Sequence, residues 1–191
     1  MERSRHKKVL IIGSSGAGKS TFSKQLAKKW NLPLIHLDSL YWNEGWVPTP
    51  KDEFIEIVKD KLEEEQWIMD GNFKSTLEWR TEYADLIIFL DFQRTLCTYR
   101  VLKRVWMHRG KTRDDMALGC NEKLDWEFLR FVWSFPKKVR PAILNVLEDA
   151  STQRDICILR NPKEVKAFLD TARTTNENII GVHTNERQNI K

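Results

Sequence analysis

Short apolar runs alternate along this chain with longer segments whose apolar residues recur every three or four positions. The runs are three to five residues long and mostly rich in β-branched side chains, which is typical of buried strands in a parallel sheet. They lie at 9–12, 34–37, 67–69, 86–90 and 156–159. Because helices are predicted between them, we expect an α/β fold with a five-stranded parallel sheet and helices on both faces.

The segments between these runs carry signals for helix starts. A stripe of aromatic and leucine side chains predicts a helix over 21–30. Thr49 is the predicted N-cap of a second helix, with Pro50 at its first position, and Asn161 is the predicted N-cap of the last helix. Further helices are predicted from about residue 95, over 122–135 and over 137–149.

The segment between the first predicted strand and the first helix reads GSSGAGKS and matches the phosphate-loop pattern G-x-x-x-x-G-K-[ST] at every fixed position. Its glycines let the backbone approach a phosphate closely, and its amides form an anion site with the start of the helix. We expect Lys19 to reach the β- and γ-phosphates of ATP and the Ser20 hydroxyl to hold Mg²⁺. A glycine turn without a ligand is the alternative interpretation. The predicted nucleotide-binding residues of this loop are Gly13, Ser14, Ser15, Gly16, Ala17, Gly18, Lys19, Ser20 and Thr21.

Three aspartates follow predicted strands, and the carboxyl ends of parallel strands share the edge of the sheet where ligands bind. Asp70 is the predicted carboxylate of the Mg²⁺ site because Gly71, which follows it, permits close approach of a ligand. Asp91 is the weaker candidate for the same role. Asp38 is predicted to accept the proton of an acceptor hydroxyl or to bind the magnesium shell, and a helix cap or turn is its alternative role.

A basic segment follows the fourth predicted strand, with no acidic residue between Phe92 and Arg113. Arg100 and Arg104 lie one helical turn apart and are predicted to bind the phosphates. Arg109 and Arg113 are predicted to act from a mobile lid, with Gly110 as a hinge, and with Arg104 to offset the charge of a transferring phosphoryl group. A solvated basic face or a nucleic-acid contact is the alternative.

Two tryptophans follow Asp38 in a predicted loop. Trp42 and Trp46 can stack on a ring of the acceptor, although packing within the protein is the commoner role of tryptophan. His36 lies inside the second predicted strand, and we assign it no role in the chemistry.

Composition and charge narrow the class of protein. At 191 residues, with 41% hydrophobic and 31% charged residues, the chain can form one domain with a sizeable core. The net charge of +5 suits phosphorylated substrates and nucleic acids alike. No apolar run is long enough to span a membrane, and residues 174–191 are predicted to be a polar tail. Cysteines without a C-x-x-C pair indicate free thiols, and we expect a cytoplasmic protein; they are Cys97, Cys120 and Cys157.

Several segments together resemble a known family. They are the phosphate loop, 33–42, 67–73, 89–104 and 112–129. In these segments the chain resembles the adenylate-kinase-like P-loop kinases and, more narrowly, the bacterial DNA topology modulation proteins. The resemblance implies a P-loop kinase-like domain over 1–173 with the sheet order 2-3-1-4-5. It also implies an acceptor-binding region at about 41–65 and a helical lid at about 106–119.

The chain departs from adenylate kinases after the Asp70-Gly71 pair. Those enzymes continue with Phe-Pro-Arg, whereas this chain has Asn72-Phe73-Lys74. The arginine that grips the acceptor phosphate is therefore missing from its usual place, and Lys74 and Arg80 are the candidates to replace it. This departure argues against AMP as the acceptor.

Together these features predict a Mg²⁺-dependent kinase that transfers the γ-phosphoryl group of ATP to a small nucleotide-like or nucleoside-like acceptor. The rival hypothesis is a nucleic-acid-associated P-loop ATPase that affects DNA topology, although no known DNA-reading motif is present. A nucleotide-binding protein without turnover is a third hypothesis.

Overall fold

The computed structural model describes residues 6–108, 110, 116–121 and 123–172. Five parallel strands form its central sheet in the order β2-β5-β1-β6-β7. They are β1 (Lys8–Gly13), β2 (Leu34–His36), β5 (Trp67–Asp70), β6 (Leu86–Leu90) and β7 (Asp155–Leu159). Counted along the chain within this sheet, the order is 2-3-1-4-5, which confirms the prediction. The labels differ because an unpredicted antiparallel hairpin intervenes, formed by β3 (Trp42–Asn43) and β4 (Val47–Pro48).

Helices cover both faces of the sheet. The longer ones occur where helical periodicity was predicted, with bounds shifted by a few residues. They are α1 (Lys19–Trp30), α2 (Leu37–Tyr41), α3 (Lys51–Glu63), α4 (Leu77–Tyr83), α5 (Arg94–Met107), α6 (Trp126–Lys138), α7 (Arg140–Ala150) and α8 (Pro162–Thr171). Two 3-10 turns, Glu44–Trp46 and Lys74–Thr76, complete the described elements.

The two faces of the sheet carry separate hydrophobic cores, because alternate residues of a strand point to opposite sides. On β1, Val9 and Ile11 join one core and Leu10 and Ile12 join the other. The first core includes side chains of α1 and α5, with α8 packed against it, and the second includes side chains of α3, α4 and α7. The structure therefore has the three layers that the alternating strand and helix patterns predicted.

Two local predictions are wrong. The second strand ends at His36, and the chain turns directly into α2, so that Asp38 lies on a short helix and not at a strand end. Thr49 does not cap α3, whose N-cap is Pro50. The buried Thr49 hydroxyl instead donates to the Leu40 carbonyl (3.0 Å) and ties the end of the β3–β4 hairpin to α2. Asn161 does cap α8, as predicted, by accepting hydrogen bonds from two amides of its first turn.

Some predictions fall partly or wholly outside the described residues. Arg109, Arg113 and the tail at 174–191 lie there, and so does part of the lid predicted at 106–119. The division into a domain at 1–173 and a tail stays a prediction. Among the residues that are described, no helix is both long and apolar enough to cross a membrane.

Candidate active site

The phosphate loop connects β1 to α1 at the carboxyl edge of the sheet. Gly18 is the N-cap of α1 and has a left-handed backbone (φ 96°). Gly16 is also left-handed (φ 82°), and a Cβ there would lie 2.3 Å from the carbonyl oxygen of Cys97 in the first turn of α5. The loop is therefore held tightly between the sheet and α5, in a conformation that favours glycine at both positions.

The start of α1 suits a bound phosphate. The first amides of a helix have no acceptor within it, and no side chain caps α1. No acidic residue occupies its first turn, so an anion placed there meets the positive end of the helix dipole without a competing carboxylate. Lys19 Nζ donates to the Ser14 carbonyl (3.3 Å) and lies over the loop. This arrangement fits the phosphates of a nucleoside triphosphate.

Several of the predicted site residues interact electrostatically with Lys19. Its side chain is partly exposed in the cleft, but the surrounding protein lowers its pKa by removing water from the ammonium group. The carboxylates of Asp38 and Asp70 oppose this by raising the pKa, and the Arg104 guanidinium lowers it further. Asp38, Asp70 and Arg104 therefore all lie within electrostatic range of the Lys19 ammonium group, although Asp70 is not part of the cleft lining.

Asp70 ends β5 and is almost completely buried. The Ser23 hydroxyl donates to its Oδ2 (2.7 Å), and His36 Nδ1 lies 3.0 Å from both of its carboxylate oxygens. Ser23 lies one turn after Ser20 on α1, and its Oγ is 3.1 Å from the Ser20 carbonyl oxygen, so Asp70 meets α1 one turn beyond the residue predicted to bind Mg²⁺. His36 was assigned no role from the sequence. The signal that it has one is its position, since it ends the strand next to β5 and pairs in register with Asp70.

The carboxylate and hydroxyl at this point fit a magnesium ion that also binds phosphate oxygens, because Mg²⁺ in such sites needs only one or two protein oxygen ligands. Ser20 and Asp70 would hold it. Within the described residues no group of three or more His, Cys, Asp and Glu side chains could hold a metal ion. The assignment of both residues as magnesium ligands stays a prediction.

Asp91, the weaker candidate for the magnesium site, is engaged elsewhere. Both of its carboxylate oxygens accept hydrogen bonds from Arg140 on α7, from Nε and Nη2 at 2.8 Å each. This bond raises the pKa of Arg140. A bidentate pair of this kind anchors α7 to the end of β6, which is a structural role.

The two predicted arginines of α5 face the phosphate loop. Arg100 Nη1 donates to the Ala17 carbonyl (3.2 Å), and its guanidinium carbon lies 5.5 Å from the centre of the Phe92 ring. Arg104, one turn later, lines the same cleft. Their assignment as phosphate-binding residues stays a prediction. Arg109 and Arg113 lie outside the described residues.

Asn72 was not predicted as a site residue, although it follows the Asp70-Gly71 pair. Its Oδ1 accepts from the Gly13 amide (2.9 Å), and its Nδ2 donates to the Gly13 carbonyl. The side chain thus continues the hydrogen-bond ladder between β5 and β1 beyond its last backbone bond, from the Gly71 amide to the Ile11 carbonyl (3.2 Å). Asn72 fixes the position at which the phosphate loop begins.

Arg80 does not replace the missing phosphate-gripping arginine. It is fully buried, and its guanidinium donates to the carbonyls of Gly71 (2.8 Å), Phe73 (2.7 Å) and Thr76 (3.3 Å). Burial lowers its pKa to about 9, which leaves it charged at neutral pH. Lys74, the other candidate, is exposed and is not part of the cleft lining. Arg80 therefore stabilises the turn after β5 and does not reach a ligand.

A cleft of about 1120 Å³ runs across this edge of the molecule. The phosphate loop and α1 form its floor, and Asp38, Trp42 and Trp46 lie along one wall. Segments of α5, α6 and α8 contribute the remaining lining. The cleft is large enough for a nucleotide together with a small second ligand, which is typical of ligand sites in open α/β sheets.

The sheet order, the glycine loop before α1 and the converging charged side chains define the class: this is a P-loop kinase fold. Solved structures agree. A shikimate kinase from Acinetobacter baumannii in complex with shikimate superposes with a TM-score of 0.54, at 11% identity over 88% of this chain and 91% of that chain. A gluconokinase from Sinorhizobium meliloti 1021 has a TM-score of 0.50, at 16% identity over 88% and 94%. At such identities these likenesses establish the fold alone.

Comparisons of the sequence add no family. No protein-family model matches the chain, and no curated protein matches it. The narrower resemblance to DNA topology modulation proteins therefore has no support from these comparisons.

Proposed function

We propose that this protein is a Mg²⁺-dependent kinase that transfers the γ-phosphoryl group of ATP to a hydroxyl group of a small, nucleotide-like or nucleoside-like acceptor. The observation that carries the proposal is the convergence at Lys19. Lys19, Asp38 and Arg104 line one cleft, and the almost completely buried Asp70 lies within electrostatic range of Lys19. Phosphoryl transfer needs this set of charges, because catalysis rests mainly on positioning and electrostatic stabilisation.

In the proposed reaction the acceptor oxygen attacks the γ-phosphorus and forms the new P–O bond. The bond between the γ-phosphorus and the β–γ bridging oxygen breaks, and ADP leaves with that electron pair. Asp38 takes the proton of the acceptor hydroxyl. Lys19 and Arg104 offset the negative charge on the transferring group, and the first amides of α1 orient the phosphates.

Magnesium, when bound, would neutralise phosphate charge and help to align the reacting oxygens. Ser20 and Asp70 are proposed to hold it. Ser23 and His36 orient the Asp70 carboxylate through the contacts at 2.7 and 3.0 Å. Asp38 approaches the cleft from α2, separately from Asp70, so that one carboxylate can serve the metal and the other the acceptor.

The three described arginines of the basic segment favour the kinase over a nucleic-acid-associated ATPase. Arg100 donates to the phosphate loop, and Arg104 lines the cleft. The Arg94 guanidinium carbon lies 4.4 Å from the centre of the Trp133 ring and packs against α6. These three arginines thus contact the protein or its cleft, whereas a nucleic-acid surface would present them outward as a continuous strip.

Steady-state release of ADP from Mg-ATP tests the proposal. The panel contains nucleosides, nucleoside monophosphates, other small alcohols and double-stranded DNA, with Lys19→Ala as the blank. We expect one small acceptor to raise the turnover at least tenfold above ATP alone, and Lys19→Ala to abolish it. Stimulation by DNA alone would favour the rival ATPase, and Lys19-independent release would contradict both.

Asp38→Asn separates catalysis from binding. We expect turnover to fall at least 100-fold, because a general base contributes about 10²–10⁴ to the rate, while the Kd for Mg-ATP changes less than threefold. Asp60→Asn is the matched control, since Asp60 is an exposed carboxylate on α3 outside the cleft. Unchanged turnover in Asp38→Asn would remove Asp38 from the mechanism.

A further inference from the structure

The wall of the cleft beside Asp38 is aromatic. Trp42 follows Asp38 by four residues, at the end of α2, and both line the cleft. Trp46 extends the same wall, with its ring centre 5.5 Å from that of Trp42 and the two ring planes at 71°. The proposed base and the two indoles are therefore neighbours on one surface.

This wall is held in a defined conformation. The backbone amide of Thr49 donates to the Tyr41 carbonyl (2.7 Å) and closes the hairpin. The side-chain amide of Asn43 donates to the Thr49 hydroxyl (3.1 Å). Phe54 and Phe73 pack against Tyr41 from below, with ring centres at 5.1 and 4.7 Å. A rigid support of this kind keeps an aromatic surface in place when no ligand is bound.

Trp46 is strained. Its φ of 65° is in the left-handed region, which bulky side chains rarely adopt. Its indole N–H donates to the Asn121 carbonyl (3.0 Å), and Cys120 beside it donates to the Asn43 carbonyl (3.1 Å). With the polar atom of the indole committed to this bond, the ring contributes apolar surface to the cleft. Strained residues concentrate at ligand sites, where the strain serves to position a side chain.

The segment that forms this wall contributes no cation of its own, although Lys19 lies within electrostatic range of Asp38. Residues 37–48 include Asp38 and Glu44 but no lysine or arginine. Arg80, on the adjacent turn, is buried against backbone carbonyls. The basic side chains described along the cleft belong to other segments: Lys19, Lys24, Arg100, Arg104, Lys123 and Lys166. A carboxylate next to two indoles disfavours an anionic acceptor and favours a neutral ring.

We infer that the acceptor is an uncharged, ring-bearing alcohol, which packs its ring against Trp42 and Trp46 and presents a hydroxyl group to Asp38. This inference rests on the proposed kinase function and names its substrate class. Nucleosides have these properties, and hexoses, which lie outside the nucleoside-like class, share them. We expect nucleoside monophosphates and open-chain sugar acids to be poorer acceptors, because their charge would lie near the Asp38 carboxylate.

The test compares kcat/KM for four nucleosides, their 5′-monophosphates, glucose, mannose and D-gluconate. We expect kcat/KM for one neutral ring compound to exceed that for its charged counterpart at least tenfold. Whether that compound is a nucleoside or a hexose identifies the chemical class of the acceptor. Equilibrium dialysis of the same labelled compounds with Mg-ADP measures binding without turnover. This second measurement separates the inference from the proposed function, because a ring can bind even where no phosphoryl group is transferred.

Two variants test the aromatic wall. Trp42→Leu removes one ring, and Trp46→Gly removes the other while accepting the left-handed backbone without strain. We expect each to raise the acceptor KM or Kd about tenfold, as for the loss of one stacked ring, with the KM for ATP within twofold. Trp79→Leu, at an exposed tryptophan outside the cleft, is the control and should change neither constant.

The outcomes are distinguishable. Three results would overturn the inference: a higher kcat/KM for a charged acceptor, an unchanged acceptor KM and Kd in both tryptophan variants, or no binding of any neutral ring compound. The first two results would leave the proposed kinase function intact. Tryptophan-dependent binding without Lys19-dependent ADP release would support the inference about the site and overturn the proposed function.

Discussion

The contact between Asn72 and the phosphate loop yields a prediction that can be worked out in detail. The Asn72 carboxamide makes two hydrogen bonds to the backbone of Gly13, one accepted from the amide at 2.9 Å and one donated to the carbonyl. Asn72→Ala removes both bonds. Asn72→Asp has nearly the same shape and keeps the acceptor, but it places a second carboxylate oxygen against the Gly13 carbonyl, where the two negative atoms repel each other.

The expected magnitudes follow from these contacts. A typical hydrogen bond contributes about 1 kcal/mol net, so Asn72→Ala should lower the free energy of unfolding by about 2 kcal/mol. Asn72→Asp loses one bond and adds a part-buried repulsion, and we expect a loss of about 3 kcal/mol. Because Gly13 begins the loop, both variants should also weaken Mg-ATP binding, by about three- to tenfold, through loss of preorganisation.

Urea denaturation followed by circular dichroism measures the first effect, and calorimetric titration with Mg-ATP measures the second. Asn145→Ala, at an exposed position on α7, is the control and should stay within about 0.5 kcal/mol of the unmutated protein. The reasoning is refuted if Asn72→Asp is as stable as the unmutated protein, or if Asn72→Ala loses less than about 0.5 kcal/mol.

Three further predictions concern the loop, the two competing aspartates and a buried thiol. Gly16→Ala should cost about 3 kcal/mol or more and weaken Mg-ATP binding at least tenfold, because its Cβ would overlap a carbonyl of α5 at 2.3 Å. Gly45→Ala, with a similar φ but open space around it, should cost about 1 kcal/mol in the same denaturation assay. Asp91→Asn should cost about 1 kcal/mol and leave ADP release within twofold, whereas Asp70→Asn should reduce release at least 100-fold; equal losses would contradict the assignment of roles. Burial raises the pKa of Cys157 from 9.0 to about 12, so the folded chain keeps a proton that the unfolded chain loses between those values. Stability should therefore fall as the pH rises above 9, and the difference in unfolding free energy from Cys157→Ala should shrink by about 2 kcal/mol between pH 8.5 and 10.5 in urea titrations.

Local patterns of apolar and polar residues were sufficient to predict the architecture of the sheet and its main helices. The buried runs identified all five strands of the sheet, because a strand buried on both faces must be apolar over its whole length. The phosphate loop was readable because its function depends on backbone conformation, which glycine spacing records directly. The error at Thr49 has a tertiary cause. Its hydroxyl donates to the Leu40 carbonyl of α2, and no local pattern indicates that contact.

The sequence by itself determined the class of fold, the anion-binding loop and the aspartates and arginines that compete for roles around it. Only the tertiary structure showed that the aspartates have different partners, since Arg140 engages Asp91 while Ser23 and His36 contact Asp70. It also revealed the Asn72 bond to the phosphate loop, the burial of Arg80 and the strained Trp46. The physical reason is distance along the chain. These partners are separated by many residues, and they meet because the order of the strands brings their ends to one edge of the sheet.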